Sequence, residues 1–248
     1  MKVLVTGSTS EVGYALAARL NAMEIEVIGY DTTVPDPTRS SVLTEFVKGD
    51  VRDTEQLAQI AAMCTAGIHL AALAGSANAQ DILSVNVTGA YNFCLAAHRA
   101  QFRTAIIASS APVHLPPGEE DYGPVLRTST GDDHAYDLSK TLQEEIGRDF
   151  HQHGLPLLCL RFGHVVVGED ATTLEGQTLR DKTYCRGGWV DIGDVASACT
   201  AALQLEPNAG EMEVLNVVGS QTGRVRFDVA ATEARLGVKL EYGFEEFE

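Results

Sequence analysis

Tyr136 and Lys140 stand four residues apart in YDLSK, so on a helix the phenol and the ammonium share one face, one turn apart. A phenol near pKa 10 is a poor base at neutral pH, and bringing it to about 7 takes roughly 4 kcal/mol at about 1.4 kcal/mol per unit. A neighbouring ammonium supplies much of that by favouring the phenolate. An isolated pair of this kind is more often an uncoupled, exposed Tyr and Lys, so its meaning depends on what surrounds it. A second group lies at the start of the chain, where TGSTSEVG holds Gly7 and Gly13 and an acid, Asp31, follows about twenty residues later. Glycines in such a turn let backbone N–H groups approach a pyrophosphate at a helix N-terminus, and the acid accepts hydrogen bonds from a ribose diol. A carboxylate there repels a 2′-phosphate, which favours NAD over NADP. Two glycines alone could belong to any strand, turn and helix. A third group, Ser109-Ser110, ends the apolar run Thr104 to Ala108.

The elements that must position these residues are legible in the periodicity. Lys2 to Thr6 is a β-branched run broken by Gly7; Tyr14, Leu16, Ala17 and Leu20 recur at helical spacing; Ile25 to Tyr30 is a second strand ending on Asp31. TTVPDPTRSS reads as loop. Leu43 to Lys48 is a third strand, closed by Gly49-Asp50-Val51, and Thr54 caps a helix running to about Cys64. Gly67 to Ala71 is a fourth strand, Gln80 to Ala100 one long helix, and Thr104 to Ala108 a fifth strand. Segment 111 to 133 is loop and site rim, His134 to His153 a helix, and Leu155 to Arg161 a sixth strand. Gly163 to Gly188 has no clear period and is the expected substrate cover. Asp191 to Leu205 is helical, Val214 to Val218 a strand, and Phe227 to Leu236 a last helix. Strands alternating with helices predict an α/β fold with a doubly wound parallel sheet, ligands lying outside the carboxyl ends of its strands. Gly7, Asp31, Asp50, Ala71, Ser110 and Arg161 follow strands one to six in order.

The 248 residues suit one such unit with a small appended lobe. Acids outnumber bases 34 to 18, a formal net charge of −16, which repels nucleic-acid backbones and anionic membranes. Neither is expected as a partner. The five cysteines are odd in number and lack a CxxC or His/Cys ligand spacing, so reduced thiols and no metal site are expected. With no apolar run long enough for a membrane helix and no leader ahead of the first strand, a cytoplasmic location is expected. Five lysines against thirteen arginines fit a high-salt source or a GC-rich genome equally.

Taken in order, these segments resemble the extended short-chain dehydrogenase/reductase family, its nucleotide-sugar epimerase and dehydratase group. TGSTSEVG resembles the family's TGxxGxxG, GDVRD its adenine-side acid, HLAA its fourth-strand motif and NVTGAYN its central-helix asparagine. SSAPVH resembles the serine motif, YDLSK the catalytic tyrosine and lysine, RFGHVVVG the arginine-led turn after strand six, and WVDIGDVA the start of the next helix. The resemblance implies a Rossmann domain over residues 1–162. Residues 163–190 and 219–248 would form a small C-terminal substrate-binding lobe, and 191–218 would return to the core. It implies Tyr136 as general acid/base, with Lys140 lowering its pKa and binding the nicotinamide ribose, and Ser110 bonded to the reacting oxygen. Gly7, Ser10, Glu11, Val12 and Gly13 would face the pyrophosphate, Asp31 the adenosine ribose, Asp50 and Val51 the adenine. Leu70, Ala71, Ala72 and Asn86 would border the cofactor, although a capping or packing role would serve Asn86 equally. Ser110, Ala111, His114, His164, Arg161 and Arg186 are candidate substrate contacts, with Arg180 a further candidate for a carboxylate.

Three departures matter. Ser10 replaces the middle glycine and is expected to narrow the phosphate turn; His114 stands where tyrosine is frequent; and Gly187 occupies the place of an arginine that grips a diphosphate in nucleotide-sugar members. The last, with the short chain, points to an NAD-dependent oxidoreductase of a small sugar or sugar acid, similar to uronate dehydrogenases. A nucleotide-sugar 4-epimerase with retained NAD and a non-catalytic NAD sensor are the alternatives. The helices over 80–100 and 135–153 resemble a pair used for homodimerisation.

Overall fold

The computed structural model describes residues 1–74, 77–114, 132–168, 172–174, 176, 178–179, 188–242 and 244. Strand β1 (Lys2–Thr6) leads through Gly7 into α1 (Glu11–Ala22), and β2 (Glu26–Asp31) follows. The expected loop contains a single helical turn, α2 (Pro37–Ser40), started by Asp36, whose side chain accepts from the Thr38 and Arg39 N–H groups, with proline at the first position. Next come β3 (Glu45–Lys48) and α3 (Thr54–Ala61). The cap of α3 is Asp53, not Thr54: the carboxylate one residue earlier reaches the Gln56 N–H. Strand β4 (Ala66–His69) ends two residues before Ala71, so Leu70, Ala71 and Ala72 lie in the loop beyond it.

The long helix expected over 80–100 is three pieces: α4 (Ala79–Leu83), a π turn (Ser84–Thr88) and α5 (Gly89–Arg99). Strand β5 (Thr104–Ser110) carries both serines, a short 3₁₀ turn spans Ala111–His114, and α6 (Asp132–Gln152) bears Tyr136 and Lys140. Then follow β6 (Leu157–Phe162), β7 (His164–Val167), β8 (Thr172–Thr173), β9 (Trp189–Asp191), α7 (Ile192–Gln204), β10 (Glu213–Val217), α8 (Gln221–Arg226) and α9 (Val229–Leu236). Segment 163 to 188, aperiodic in sequence, contributes β7 and β8, which with β9 just beyond it make a separate three-stranded sheet.

Seven parallel strands form the main sheet in the order β10-β6-β5-β4-β1-β2-β3. Alternation along β1 divides the core, since successive side chains point to opposite faces. Val3 and Val5 pack with Leu16, Leu20, Val195, Cys199 and Leu203 of α1 and α7. Leu4 packs on the other face with Leu57, Ile60, Phe93 and Phe102. The order of strand addition reverses between β1 and β4, the place where a doubly wound sheet opens a crevice. Gly7 and the loop after β4 meet there so closely that a Cβ on Gly7 would lie 2.7 Å from the Ala71 nitrogen, and Gly7 has φ of +73°. Only glycine meets both demands.

Candidate active site

The turn between β1 and α1 is held from three sides. Gly7 N–H donates to the Tyr30 carbonyl at 3.0 Å. Ser10 is the N-cap of α1: its hydroxyl accepts from Gly13 N–H at 3.0 Å and donates to the Gly7 carbonyl at 2.8 Å. The substitution read as a narrowing of the phosphate turn is thus a tie across it, drawing the turn and the helix start together. Gly13 packs so tightly that its missing Cβ would lie 2.3 Å from the Gly7 carbonyl oxygen. Beyond it the Glu11 and Val12 N–H groups open the helix, where no preceding turn supplies carbonyl acceptors and the helix dipole is positive.

Asp31 leaves β2 beside this turn and accepts from Thr9 N–H at 3.0 Å and Thr33 N–H at 3.1 Å, one through each oxygen. Arg39, which carries no motif in the sequence, reaches back from α2 to the Thr9 carbonyl and the Glu11 carboxylate, its guanidinium 5.4 Å from the Tyr14 ring centroid. Thr9 is thereby pinned at its N–H by an acid and at its carbonyl by a base. Asp50 pairs with Arg52 at 2.5 Å, and that contact lowers its pKa. Tyr30 Oη lies 2.8 Å from the Asp50 carbonyl oxygen, and Val51 is buried beside it with its carbonyl accepting from Asn92 at 3.0 Å. N–H donors at a helix N-terminus and a carboxylate acceptor at the end of β2 are what a dinucleotide's pyrophosphate and ribose need, so these residues fit NAD.

The second half lies across the crevice on α6. Lys140 is buried; its ammonium donates to the Ala108 carbonyl at 2.9 Å and sits 5.6 Å from the Tyr136 ring centroid. Burial pulls its pKa down to about 8, while the nearby Cys159 and Glu144 act the other way. Ser110 ends β5, and Ala111 continues directly from it, fully buried. Ser139 Oγ donates to the Tyr136 carbonyl at 2.7 Å.

Two expected contact residues have side chains already engaged within the protein. Asn86 sits in the π turn with its amide committed: Oδ1 accepts from Leu73 N–H at 2.7 Å, and Nδ2 donates to the Leu73 carbonyl at 3.0 Å and to Ser139 Oγ at 2.9 Å. It fastens the loop after β4 to α6, the packing role weighed for it in the sequence. Arg161, a candidate partner for a substrate carboxylate, already has one: Nε and Nη2 bind the buried Glu144 carboxylate at 2.8 and 2.7 Å. His164 is exposed at the start of β7, its ring 5.6 Å from that of Trp189. The side chain of His114 and residues Arg180, Arg186 and Gly187 lie outside the described residues.

Sequence reasoning passed over His69, Arg39 and Glu144. His69 ends β4 opposite Thr6 of β1, its Nδ1 2.8 Å from Thr6 Oγ1, and is fully buried against Phe93. Burial, with the Lys140 cation adding to it, pushes its pKa down to about 3, so the ring is neutral. Glu144 continues the four-residue spacing of Tyr136 and Lys140, a signal present in the sequence; nothing there marks Arg39.

The family model described as "NAD dependent epimerase/dehydratase family" matches residues 3–217. The chain is 26% identical over 297 aligned residues to a UDP-glucose 4-epimerase of Neisseria meningitidis serogroup B, covering 97% of this chain and 84% of that one. It is also 26% identical over 219 residues to an L-arabinose 1-dehydrogenase (NAD(P)(+)) of Haloferax volcanii, covering 82% of each. Its fold matches the enzyme WbmG of Bordetella bronchiseptica, solved in complex with NAD, with a TM-score of 0.71, 19% identity and coverage of 98% and 90%. No described helix is long and apolar enough to cross a membrane. With the glycine turn after β1, the acid ending β2 and the Tyr136–Lys140 pair beside β5, and the family's pattern running through nearly the whole sheet, this chain belongs to the NAD-dependent epimerase/dehydratase family, enzymes of the extended short-chain dehydrogenase/reductase type.

Proposed function

We propose that the protein is an NAD-dependent dehydrogenase that oxidises a hydroxyl of a small sugar or sugar acid. The observation that carries the substrate reading is in the sequence, where glycine (Gly187) stands at the position at which nucleotide-sugar members carry an arginine; the match to the arabinose dehydrogenase over 82% of each chain supports it. NAD, when bound, supplies the hydride acceptor. The chain's own part is the proton: the Tyr136 phenolate takes it from the substrate hydroxyl, Ser110 holds the same oxygen, and the Lys140 ammonium favours the phenolate. Asp31 and the Glu11 and Val12 N–H groups hold the adenosine ribose and pyrophosphate. The strands β7, β8 and β9 with the chain after β10 would cover the substrate. The test is reduced-nicotinamide absorbance with NAD or NADP against free aldoses, uronic acids and UDP-sugars. Reduction of NAD by a free sugar is expected, and Tyr136→Phe should lower kcat by about 10²–10⁴-fold; full activity in that variant overturns the mechanism.

The second reading, a nucleotide-sugar 4-epimerase, is favoured by the match to the Neisseria epimerase over 97% of the chain. NAD released on denaturation together with UDP-sugar interconversion and no net reduction would establish it. We also propose a homodimer through the outer faces of α5 and α6, where Tyr91, Leu138 and Leu142 leave apolar surface exposed; a monomer by sedimentation would refute that.

A further inference from the structure

Helix α6 carries Tyr136, Lys140, Glu144 and Arg148 at four-residue intervals, a single stripe of phenol, cation, anion and cation. The two turns after Tyr136 are fastened to different strands. Lys140 donates to Ala108 of β5, and Glu144, its side chain only 1% exposed, takes the Arg161 fork from β6 at 2.8 and 2.7 Å, with Arg148 adding a bond at 3.1 Å. Strands β5 and β6 are neighbours, with Ser109 opposite Arg161 and Ser110 opposite Phe162. The fork therefore lies one residue back from the serine that Tyr136 must face. A buried ion pair is a poor way to gain stability, because desolvation offsets most of its Coulomb attraction.

We propose that Glu144 is a positioning residue for the reaction: clamped by Arg161, it fixes α6 against β5 and β6 so that Tyr136 and Ser110 meet one substrate oxygen, and it sets a carboxylate one helical turn from Lys140. This rests on the oxidoreductase reading above. The groups facing Lys140 are Tyr136 and Glu144 on its own helix, Cys159 on β6 and the neutral His69 on β4. Glu144 is thus the one formal anion among the described groups around the ammonium. Without it the singly protonated Tyr136/Lys140 pair gives up its last proton more easily.

Two variants of the NAD-loaded enzyme separate charge from geometry. Glu144→Gln keeps the shape and removes the charge; kcat should fall about tenfold to a hundredfold, KM should hold, and the alkaline limb of the kcat profile should move to lower pH. Arg161→Lys keeps both charges and loses the fork; kcat should fall with the limb unmoved. A wild-type kcat in either variant, or a loss in Glu144→Gln with an unmoved limb, overturns the proposal. If Glu144→Gln does not fold, Arg161→Lys decides alone. If the wild type turns over no substrate, the functional reading fails separately. Hydrogen exchange of the Ala135–Ser139 amides with NAD bound then judges the anchor: faster exchange in Arg161→Lys supports it, and unchanged exchange overturns it.

Discussion

Gly13→Ala tests the phosphate turn directly. The added Cβ would lie 2.3 Å from the Gly7 carbonyl oxygen and 2.8 and 2.9 Å from the Cα and carbonyl carbon of Ser8. All three are backbone atoms of the turn itself, so no side-chain rotation relieves the clash. Reaching the ordinary contact distance of 3.4 Å requires the turn to open by about 1 Å. It cannot open without stretching the Ser10 hydroxyl bond to Gly7 at 2.8 Å and the Gly7 bond to Tyr30 at 3.0 Å. Overpacking of this kind costs about 1–3 kcal/mol and a weakened N-cap about 1 kcal/mol more. At about 2–4 °C per kcal/mol for a chain of this size, Tm should fall by roughly 4–16 °C. The Glu11 and Val12 N–H groups move with the turn, so NAD should bind at least about tenfold more weakly, and the stabilisation by NAD, about 2.7 kcal/mol at a hundred times the wild-type Kd, should fall to about 1.4 kcal/mol or less at the same NAD concentration. Thermal unfolding with and without NAD, together with titration calorimetry, measures both effects. Gly210→Ala is the control, since nothing lies within 4 Å of its Cβ position. A Gly13→Ala protein that melts and binds NAD like the wild type would refute the reasoning.

Ser10→Ala removes the cap and the tie to Gly7 and should lower stability by about 1 kcal/mol, whereas Ser10→Gly should cost only a few tenths; denaturant unfolding distinguishes them. Asp31→Ser removes the charge a 2′-phosphate would meet, roughly 1–4 kcal/mol at contact, so the NADP to NAD ratio of kcat/KM should rise about tenfold or more. An unchanged ratio would mean that Asp31 does not face the ribose. His69 has its folded pKa depressed to about 3 from an ordinary 6.5. Its contribution to stability is complete above about pH 6.5 and is lost as pH falls toward 3, because the unfolded chain takes up the proton first. The slope is about 1.4 kcal/mol per pH unit across that window. His69→Gln should flatten it in acid unfolding curves, and an unaltered slope would assign it to other groups.

The parallel sheet was readable because its strands are short apolar runs alternating with helical stretches; the order in which they lie side by side was not, since no local pattern records which strands pair. The helix over 80–100 was misread because its apolar spacing runs on unbroken while the backbone takes a π turn at Ser84–Thr88. What requires the wider turn is Asn86 bonding to Leu73 and Ser139, both distant in sequence. Local patterning cannot register such a tertiary demand. The same limit applies at the site. The glycines, Asp31, Tyr136 and Lys140 have fixed spacings and could be found, and Arg161 could be found too, but not the Glu144 partner that takes its guanidinium. Segment 163 to 188 lacked period because its two described strands are only four and two residues long, too short to show an alternation.

The strand order has a consequence for synthesis. β1 is made first and lies inside the sheet; β2 emerges to pair with it, β3 with β2, β4 with the free side of β1, then β5, β6 and β10 each with the strand outermost at that moment. No strand has to wait for a partner still on the ribosome, and none must be threaded between two already paired. Growth from a central seed keeps one unsatisfied edge open on the growing side at each stage. From the completion of β6 until β10 emerges that edge is β6 itself, apolar from Leu157 to Leu160. A nascent chain arrested in that interval is the form of this protein most exposed to edge-to-edge association.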